Sequence, residues 1–440
     1  MLLACEVIRM IPISTLQRIG LLTSFRSVGA GFSFLLVVLI GRGLGAAGAG
    51  TYFTMIAAVS ICTNIGLMGI DHYALQQLSH HRARKDWRGA FEIASYTAVI
   101  TAIAIIVASM ILALIMLFLP DTHRQLAPTA AVTLFSLSVI PMGITRLLSE
   151  QLKALNRQLA ALATSAVVPP VTALAICYGT YETLTIESIA VAHLAGYLSG
   201  GVIGAVALAL FFREKDDVTV PIWRVSSKKG ALGHILSAFP LWVMSVINGS
   251  LTPWLPVLML GAWSNPESVG VLGAVTRVIL AIALILSSVN AYYAPKLSAI
   301  YQDGGSSKLG PVLRNITKTQ LLLLGPFIAL LMMFADEVMK VFGVGFWDGG
   351  VALRIVLVGQ LLNISAGCAG YALLMTGFSR ENQNAALAAA IAVTVVGLSL
   401  IPTYGLVGGA IAVASGTITN NLFNLLMVKR RLGIGFLNDH

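Results

Sequence analysis

Charge is scarce in this sequence. Asp, Glu, Lys and Arg make up 10% of 440 residues, 57% are hydrophobic, and the mean hydropathy is +0.87. Chains folded in water carry about 25% charged residues, because their surface must be solvated. A soluble globule of this composition would expose more apolar surface than stays in solution. Lipid is therefore the solvent. Short stretches of alternating apolar and polar residues, the mark of a membrane barrel, are missing as well. The apolar runs are continuous, as in Thr97 to Leu119 and Gln320 to Phe334. Backbone groups in hydrocarbon must bond within their own segment, so these runs are expected to be helices.

Cysteine and acid are sparse too. Cys5, Cys62, Cys177 and Cys368 stand far apart, and the last three lie in apolar segments. Without metal-ligand spacing they read as packing residues, and neither disulfides nor a cofactor are expected. The start MLLAC lacks the charged and apolar regions that precede a lipoprotein cleavage box, and Met10 is an alternative start. The net charge of +10 would hint at nucleic acid in a soluble protein. Here the bases read as membrane-flanking anchors, and no nucleic-acid partner is expected.

What is present is a series of apolar segments. At about 20 residues per span the chain has room for roughly twelve. They read as 21–41, 49–70, 92–119, 128–149, 161–179, 188–212, 238–262, 268–293, 317–335, 350–375, 385–402 and 405–427. Every second connection is basic, with Arg84 and Lys85 in one, Lys153 and Arg157 in the next, and then Lys228 and Lys229. Lys308 and Arg314, Arg380, and Lys429 to Arg431 continue the series, while the opposite connections hold only Arg42, Arg124 and Lys340. Short cytoplasmic loops collect Lys and Arg, so both termini are expected in the cytoplasm and the span count even.

The longest basic connection, 213–237, falls near mid-chain. It divides residues 1–212 from 238–440, six expected helices from six. GAGTYFTMIAAVS echoes SVGVLGAVTRVIL at an offset near 220. The expected fold is therefore all-α, with two similar six-helix lobes related by an axis along the membrane normal and a site between them. No outward segment is large enough for the catalytic loop that a glycan polymerase or ligase uses.

Three bases remain inside spans: Arg26, Arg277 and Arg354. An arginine at the bilayer centre costs roughly 3 kcal/mol on insertion scales, so each should face protein or a wet cavity. Of the acids near spans, Asp71, Glu92 and Glu150, the last lies one turn from Arg146 and reads as its partner. The three span arginines have no evident carboxylate, which suits an anionic substrate; their forked donors match phosphate oxygens two at a time. In span seven Asn248, Gly249, Pro253 and Pro256 interrupt the helix and mark a kink or hinge, as Gly29 and Gly31 do in span one. Asn290, Asn363, Asn420 and Asn424 are within reach of a sugar, or else serve as interhelical glue. Gly43, Gly45 and Gly48 spell GxGxxG in an outward turn with no strand before it, so no nucleotide site is expected. His72, His80 and His81 fall in a basic connection and read as solvated.

Several stretches resemble the multidrug/oligosaccharidyl-lipid/polysaccharide exporter superfamily. These are VGVLGAVTRV with APKLSAIYQDGGSSKL, then FGVGFWDGGVALRIV, LLMTGFSRENQNAAL and IPTYGLVGGAIAVASG. RSVGAGFSFLLVVLIGRGLGAAGAGTYF resembles the opening of its polysaccharide (Wzx-type) flippases. The resemblance implies passage of an undecaprenyl-diphosphate-linked oligosaccharide from the cytoplasmic to the periplasmic leaflet of a bacterial inner membrane, by alternating access and without covalent chemistry. It implies a cationic cavity between the lobes, with Arg26 and Arg277 at its basic positions, and membrane lipids, a polysaccharide polymerase and chain-length machinery as partners. Cation-coupled drug exporters share the fold but usually keep a carboxylate in the N-terminal lobe, and here none stands between Glu6 and Asp71.

Overall fold

Glycines at positive φ set the shape of the long helices. The computed structural model describes residues 13–118, 128–215, 239 and 242–435, and every regular element among them is helical. Helix α1, Ile13–Leu67, kinks at Gly45 (φ 69°), inside the expected GxGxxG turn. A residue with a Cβ pays a steric cost in that region, and glycine does not. Each arm of α1 beyond the kink is long enough to cross about 30 Å of hydrocarbon at 1.5 Å per residue. Gly305 and Gly405 do the same in α9, Pro266–Met333, and α13, Ser379–Leu432.

Between these run α2 (Ile70–Ala83), α3 (Trp87–Phe118), α4 (Thr129–Ala154), α5 (Gln158–Leu162), α6 (Val168–Gly179) and α7 (Ile186–Arg213). In the second half lie α8 (Thr252–Trp263), α10 (Ala335–Lys340), α11 (Gly349–Ser365) and α12 (Ala369–Met375). Among the described residues nine helices are long and apolar enough to cross a membrane, or ten if the bent pair α11 and α12 forms one span. The chain is a multi-pass helical membrane protein. Nearly all of the connection 213–237 lies outside the described residues, as do Cys5 and Arg124.

Two expected connections are helical instead. His72, His80 and His81 sit on α2, where His81 Nδ1 lies 2.8 Å from Asp86 Oδ2. The stretch around Lys308 belongs to α9, and Lys308 Nζ donates to Asp303 Oδ2 at 2.7 Å across the Gly305 kink. Amphipathic surface helices keep polar residues on one face, so a charge count alone reads them as loops.

The halves meet through glycine. A Cβ on Gly50 would stand 1.7 Å from the Pro266 carbonyl oxygen, and one on Gly270 would stand 2.1 Å from that of Ala46. Gly273 lies under the Phe53 ring, with 2.1 Å between its would-be Cβ and the ring edge. On the same side Arg42 Nε donates to the Val341 carbonyl at 3.0 Å, and the rings of Phe34 and Phe342 meet edge-on at 5.3 Å. Small residues let helices approach closely where lipid supplies no hydrophobic drive, so dispersion and these bonds hold the seam. The three described cysteines are free thiols in the packing, and Cys62 Sγ donates to the Ala108 carbonyl.

A cationic cavity as the candidate functional site

Two spans carry a π-helical turn followed by proline, and both face the same space. Ala163–Val167 precedes Pro169 and Pro170, and Ile247–Leu251 precedes Pro253 and Pro256. Proline has no N–H for the carbonyl four residues back, so Pro253 leaves the Gly249 carbonyl without its helical donor. Asn64 Nδ2, on α1, donates to that carbonyl at 3.3 Å. The interrupted helix thus has its free acceptor satisfied from the other half of the chain. Gly29 admits the opposite π-turn, since a Cβ there would fall 2.2 Å from the Ala166 carbonyl oxygen. Gly31 has nothing within 4 Å of such a Cβ, and Asn248 lines a groove with His72 and Arg146.

A cavity of about 380 Å³ lies between these turns. Arg26, Ser33, Tyr52, Ser60 and Asn64 line it from α1, and Arg146 from α4. His193 and Tyr197 of α7, Trp254 of α8 and Arg277 of α9 complete an aromatic and basic wall. Both Arg26 and Arg277 therefore face one central space. Arg277 Nη1 reaches Ser33 Oγ at 3.5 Å and its guanidinium stands 5.7 Å from the Phe53 ring centre, while its buried Nε has no hydrogen-bond partner among the described residues. Neither Arg26 nor Arg277 forms an ion pair with a described carboxylate. The Tyr52, His193 and Tyr197 rings cluster beside Arg277, with His193 and Tyr197 centroids 4.9 Å apart.

Arg146 is the cavity base that the sequence misassigned. It does not pair with Glu150, which instead takes Lys153 Nζ. Arg146 Nε lies 3.2 Å from Oδ2 of Asp71, a carboxylate with no exposed surface. Its other nitrogens donate to Asn64 Oδ1 and, at 3.2 Å, to Ser245 Oγ. Asp71 enters at the start of α2, where Gly69 at φ 72° turns the chain inward, a geometry that a count of nearby acids along one helix does not register.

Arg354 is a second correction. It has a carboxylate partner: its Nη2 donates to Asp336 Oδ2 at 2.7 Å and its Nε to the Met332 carbonyl at 3.1 Å. It does not line the cavity. Asp336 follows the end of α9, and the Arg354 guanidinium beside it holds its carboxyl below the usual range. The asparagines also lie elsewhere. Asn290 accepts from Gln320 Nε2 at 2.9 Å, Asn363 donates to Gln360 and accepts from Asn421, and Asn424 donates to Asn420. The first bond joins the two arms of α9 across its kink, the Asn421–Asn363 bond joins α13 to α11, the others stay within one helix, and none of the four asparagines lies in the cavity wall. Proline inside an apolar run was the available signal for the missed wall residues, because VVPP at 167–170 marks the first π-turn as plainly as Pro253 marks the second.

Interrupted helices around a polar central cavity are an arrangement from which membrane transporters build their sites. Residues 15–300 match the model of the family described as Polysaccharide biosynthesis protein, and the chain belongs to that family. It is 23% identical over 167 residues to the capsular polysaccharide biosynthesis protein CapF of Staphylococcus aureus, covering 38% of this chain and 42% of that one. It is 26% identical over 201 residues to the probable low-salt glycan biosynthesis flippase Agl15 of Haloferax volcanii, covering 44% and 41%. The matches span less than half the length of these relatives. Among solved structures, the lipid II flippase MurJ in an inward closed conformation superposes with a TM-score of 0.74 at 14% identity, over 93% of this chain and 87% of that one. An inward-facing MATE multidrug transporter of the MOP superfamily gives 0.73 at 16% identity, over 93% and 98%. The fold is that of this superfamily.

Proposed function

We propose that the chain is a flippase that carries an undecaprenyl-diphosphate-linked oligosaccharide from the cytoplasmic to the periplasmic leaflet of a bacterial inner membrane, with both termini cytoplasmic. The observation that carries this reading is the cavity, where Arg26 and Arg277 offer guanidinium groups that no described carboxylate neutralises. One charge pair 4 Å apart gains about 4 kcal/mol at an effective dielectric near 20, so two such bases offset much of the dehydration of a diphosphate. Family membership and the relative named a glycan flippase support the same class of cargo. The step is binding and release, with no bond made or broken.

Two six-helix lobes moving about the cavity account for alternating access. Gly50 and Gly270 touch, and so do Phe53 and Gly273; each pair is separated by the 220-residue offset of the internal echo. Equivalent positions of a repeat meet only beside the axis that relates them, which supports a pseudo-two-fold axis through this seam. Gly249 and the π-turns beside it are suited to flexing as the lobes rock, and a polysaccharide polymerase would consume the product.

The test is transfer of a labelled lipid-linked oligosaccharide in vesicles, normalised to protein amount. Loss of charge-assisted bonds worth about 1.5–3 kcal/mol each predicts that Arg277→Ala slows transfer about tenfold or more. Arg277→Lys should recover only part, since an ammonium does not bridge two oxygens as a fork does. Full transfer by Arg277→Ala would reject the headgroup role. Export of a cationic drug by the wild type, without oligosaccharide transfer, would replace the reading with the exporter one.

A further inference from the structure

The four asparagines that the sequence offers as sugar contacts stand outside the cavity wall, so a saccharide in the cavity would meet other residues. The wall holds aromatic rings from both halves of the chain. His193 and Tyr197 are one turn apart on α7 and share a face, with ring centroids 4.9 Å apart at 65°. Trp254 lines the same cavity from α8, next to Pro253 and the π-turn. Tyr197 and Trp254 are half-buried, so neither ring is sealed in the core. Among the described residues that line the cavity, His193 and Arg277 are the two with a buried polar atom that has no hydrogen-bond partner, Nε2 and Nε. A row of rings joins them. The Arg277 guanidinium lies 5.7 Å from the Phe53 centroid, Phe53 5.5 Å from Tyr52, and Tyr52 6.5 Å from His193. An unpaired buried polar atom is a cost that a bound ligand removes. A cation and an imidazole at one end of a cavity suit a ligand that carries an anion and a neutral polar group side by side.

We propose that this aromatic wall is a saccharide subsite, where a pyranose lies against Tyr197 and Trp254 and one of its hydroxyls bonds His193 while the diphosphate meets Arg277. The assignment rests on the flippase reading above and names what the cavity takes besides the headgroup. A pyranose has an apolar C–H face and a rim of hydroxyls. Tyrosine and tryptophan match that shape, each with an electron-rich face and one polar atom at its rim. A hydroxyl both donates and accepts, so it satisfies the imidazole nitrogen in either tautomer. An organic cation would also find aromatic faces here, but beside Arg26 and Arg277, which no described carboxylate neutralises. The cavity, about 380 Å³, lies toward the lower end of the roughly 300–1,000 Å³ typical of small-molecule sites, which is room for a ring beside a diphosphate.

The experiment measures binding of undecaprenyl diphosphate, bare or bearing N-acetylglucosamine or galactose, to the purified full chain in detergent. A ring-face contact or a hydroxyl bond changes affinity about two- to tenfold. The wild type should therefore hold at least one sugar-bearing lipid about tenfold more tightly than the bare one. Tyr197→Leu and Trp254→Leu should each remove about two- to tenfold of that preference and leave affinity for the bare lipid unchanged. Trp254→Phe should keep much of it, and His193→Phe should lower it with a ring still in place. The wild-type comparison needs no variant, so the proposal stays exposed even where a substitution unfolds the chain. Equal affinity for bare and sugar-bearing lipids, or equal losses for both in Tyr197→Leu and Trp254→Leu, overturns the subsite and leaves the headgroup role standing. A sugar preference that survives Arg277→Ala, with the bare lipid bound as in the wild type, sustains the subsite and removes Arg277 from the headgroup.

Discussion

Arg146 and Arg277 line one cavity, yet their charges are met in opposite ways. Arg146 has a buried carboxylate, an amide and a hydroxyl around it: Asp71, Asn64 and Ser245. Arg277 has one long contact to Ser33, an aromatic face, and an Nε with no partner among the described residues. A base met by a carboxylate, an amide and a hydroxyl of its own protein is a structural element. One held by a hydroxyl and a ring keeps its strongest donors for something that comes and goes. The difference separates a base that the fold itself neutralises from one that it leaves available to the headgroup proposed above.

The largest effect that would break this comparison is on stability. Arg146→Ala leaves Asp71 buried with only His72 Nε2, 4.0 Å from Oδ2, beside it, and breaking a buried pair from one side costs about 3–5 kcal/mol. Thermal melting in detergent should fall sharply and membrane abundance with it. The paired change Asp71→Leu with Arg146→Met should recover much of the loss, because it removes both charges together. An Arg146→Ala protein as stable as the wild type would show that the pair is not holding the fold.

Arg277→Met sharpens the contrast from the other side. It removes a desolvated cation and its ring contact, the latter worth about 0.5–2 kcal/mol, and leaves no carboxylate stranded. Melting should shift little even as oligosaccharide transfer collapses. A melting loss as large as that of Arg146→Ala would make Arg277 structural too.

Two glycines allow a similar comparison at the seam. Gly50→Ala forces a Cβ to 1.7 Å from the Pro266 carbonyl, whereas the space around Gly31 is open. Overpacking of this kind costs about 1–3 kcal/mol. Gly50→Ala should therefore lower melting and transfer, and Gly31→Ala should leave both near wild type. Equal behaviour of the two would mean that the halves do not need this close approach.

The smallest effect lies outside the membrane spans. Asp86 caps α3 by accepting from the Gly89 N–H at 2.9 Å, and that bond, with His81 beside it, holds its carboxyl below the usual range. A group with a depressed folded pKa contributes stability above its unfolded value and loses it as pH falls through the folded one. Asp86→Ala should cost about 1 kcal/mol at neutral pH, as N-cap losses do, and less at pH 3. A cost that does not shrink on acidification would remove the carboxylate from the account.

Much of this was legible along the chain. Scarce charge and unbroken apolar runs require helices in lipid, because no other open structure satisfies the backbone there. The depth of Arg277 and the prolines of span seven also needed no coordinates. Pairing between distant residues was illegible for a different reason. Asp336 lies beside Arg354 only because α10 folds back under α11, and Asp71 reaches Arg146 only because Gly69 turns α2 inward. Local spacing favoured Glu150 for Arg146, one turn away; the structure gave Glu150 to Lys153 instead.

By itself, then, the sequence determined the solvent, the helical class and the presence of positive charge at depth, since each follows from composition or from a single residue's position. Only the tertiary structure decided which charges are spoken for. Partner choice depends on where helices from distant parts of the chain come within about 3 Å of one another, and an ion pair's energy changes steeply over that range. The same packing put Asn363 and Asn421 between two helices, the π-turns in the cavity wall, and a carboxylate beside only one of the three arginines of that wall.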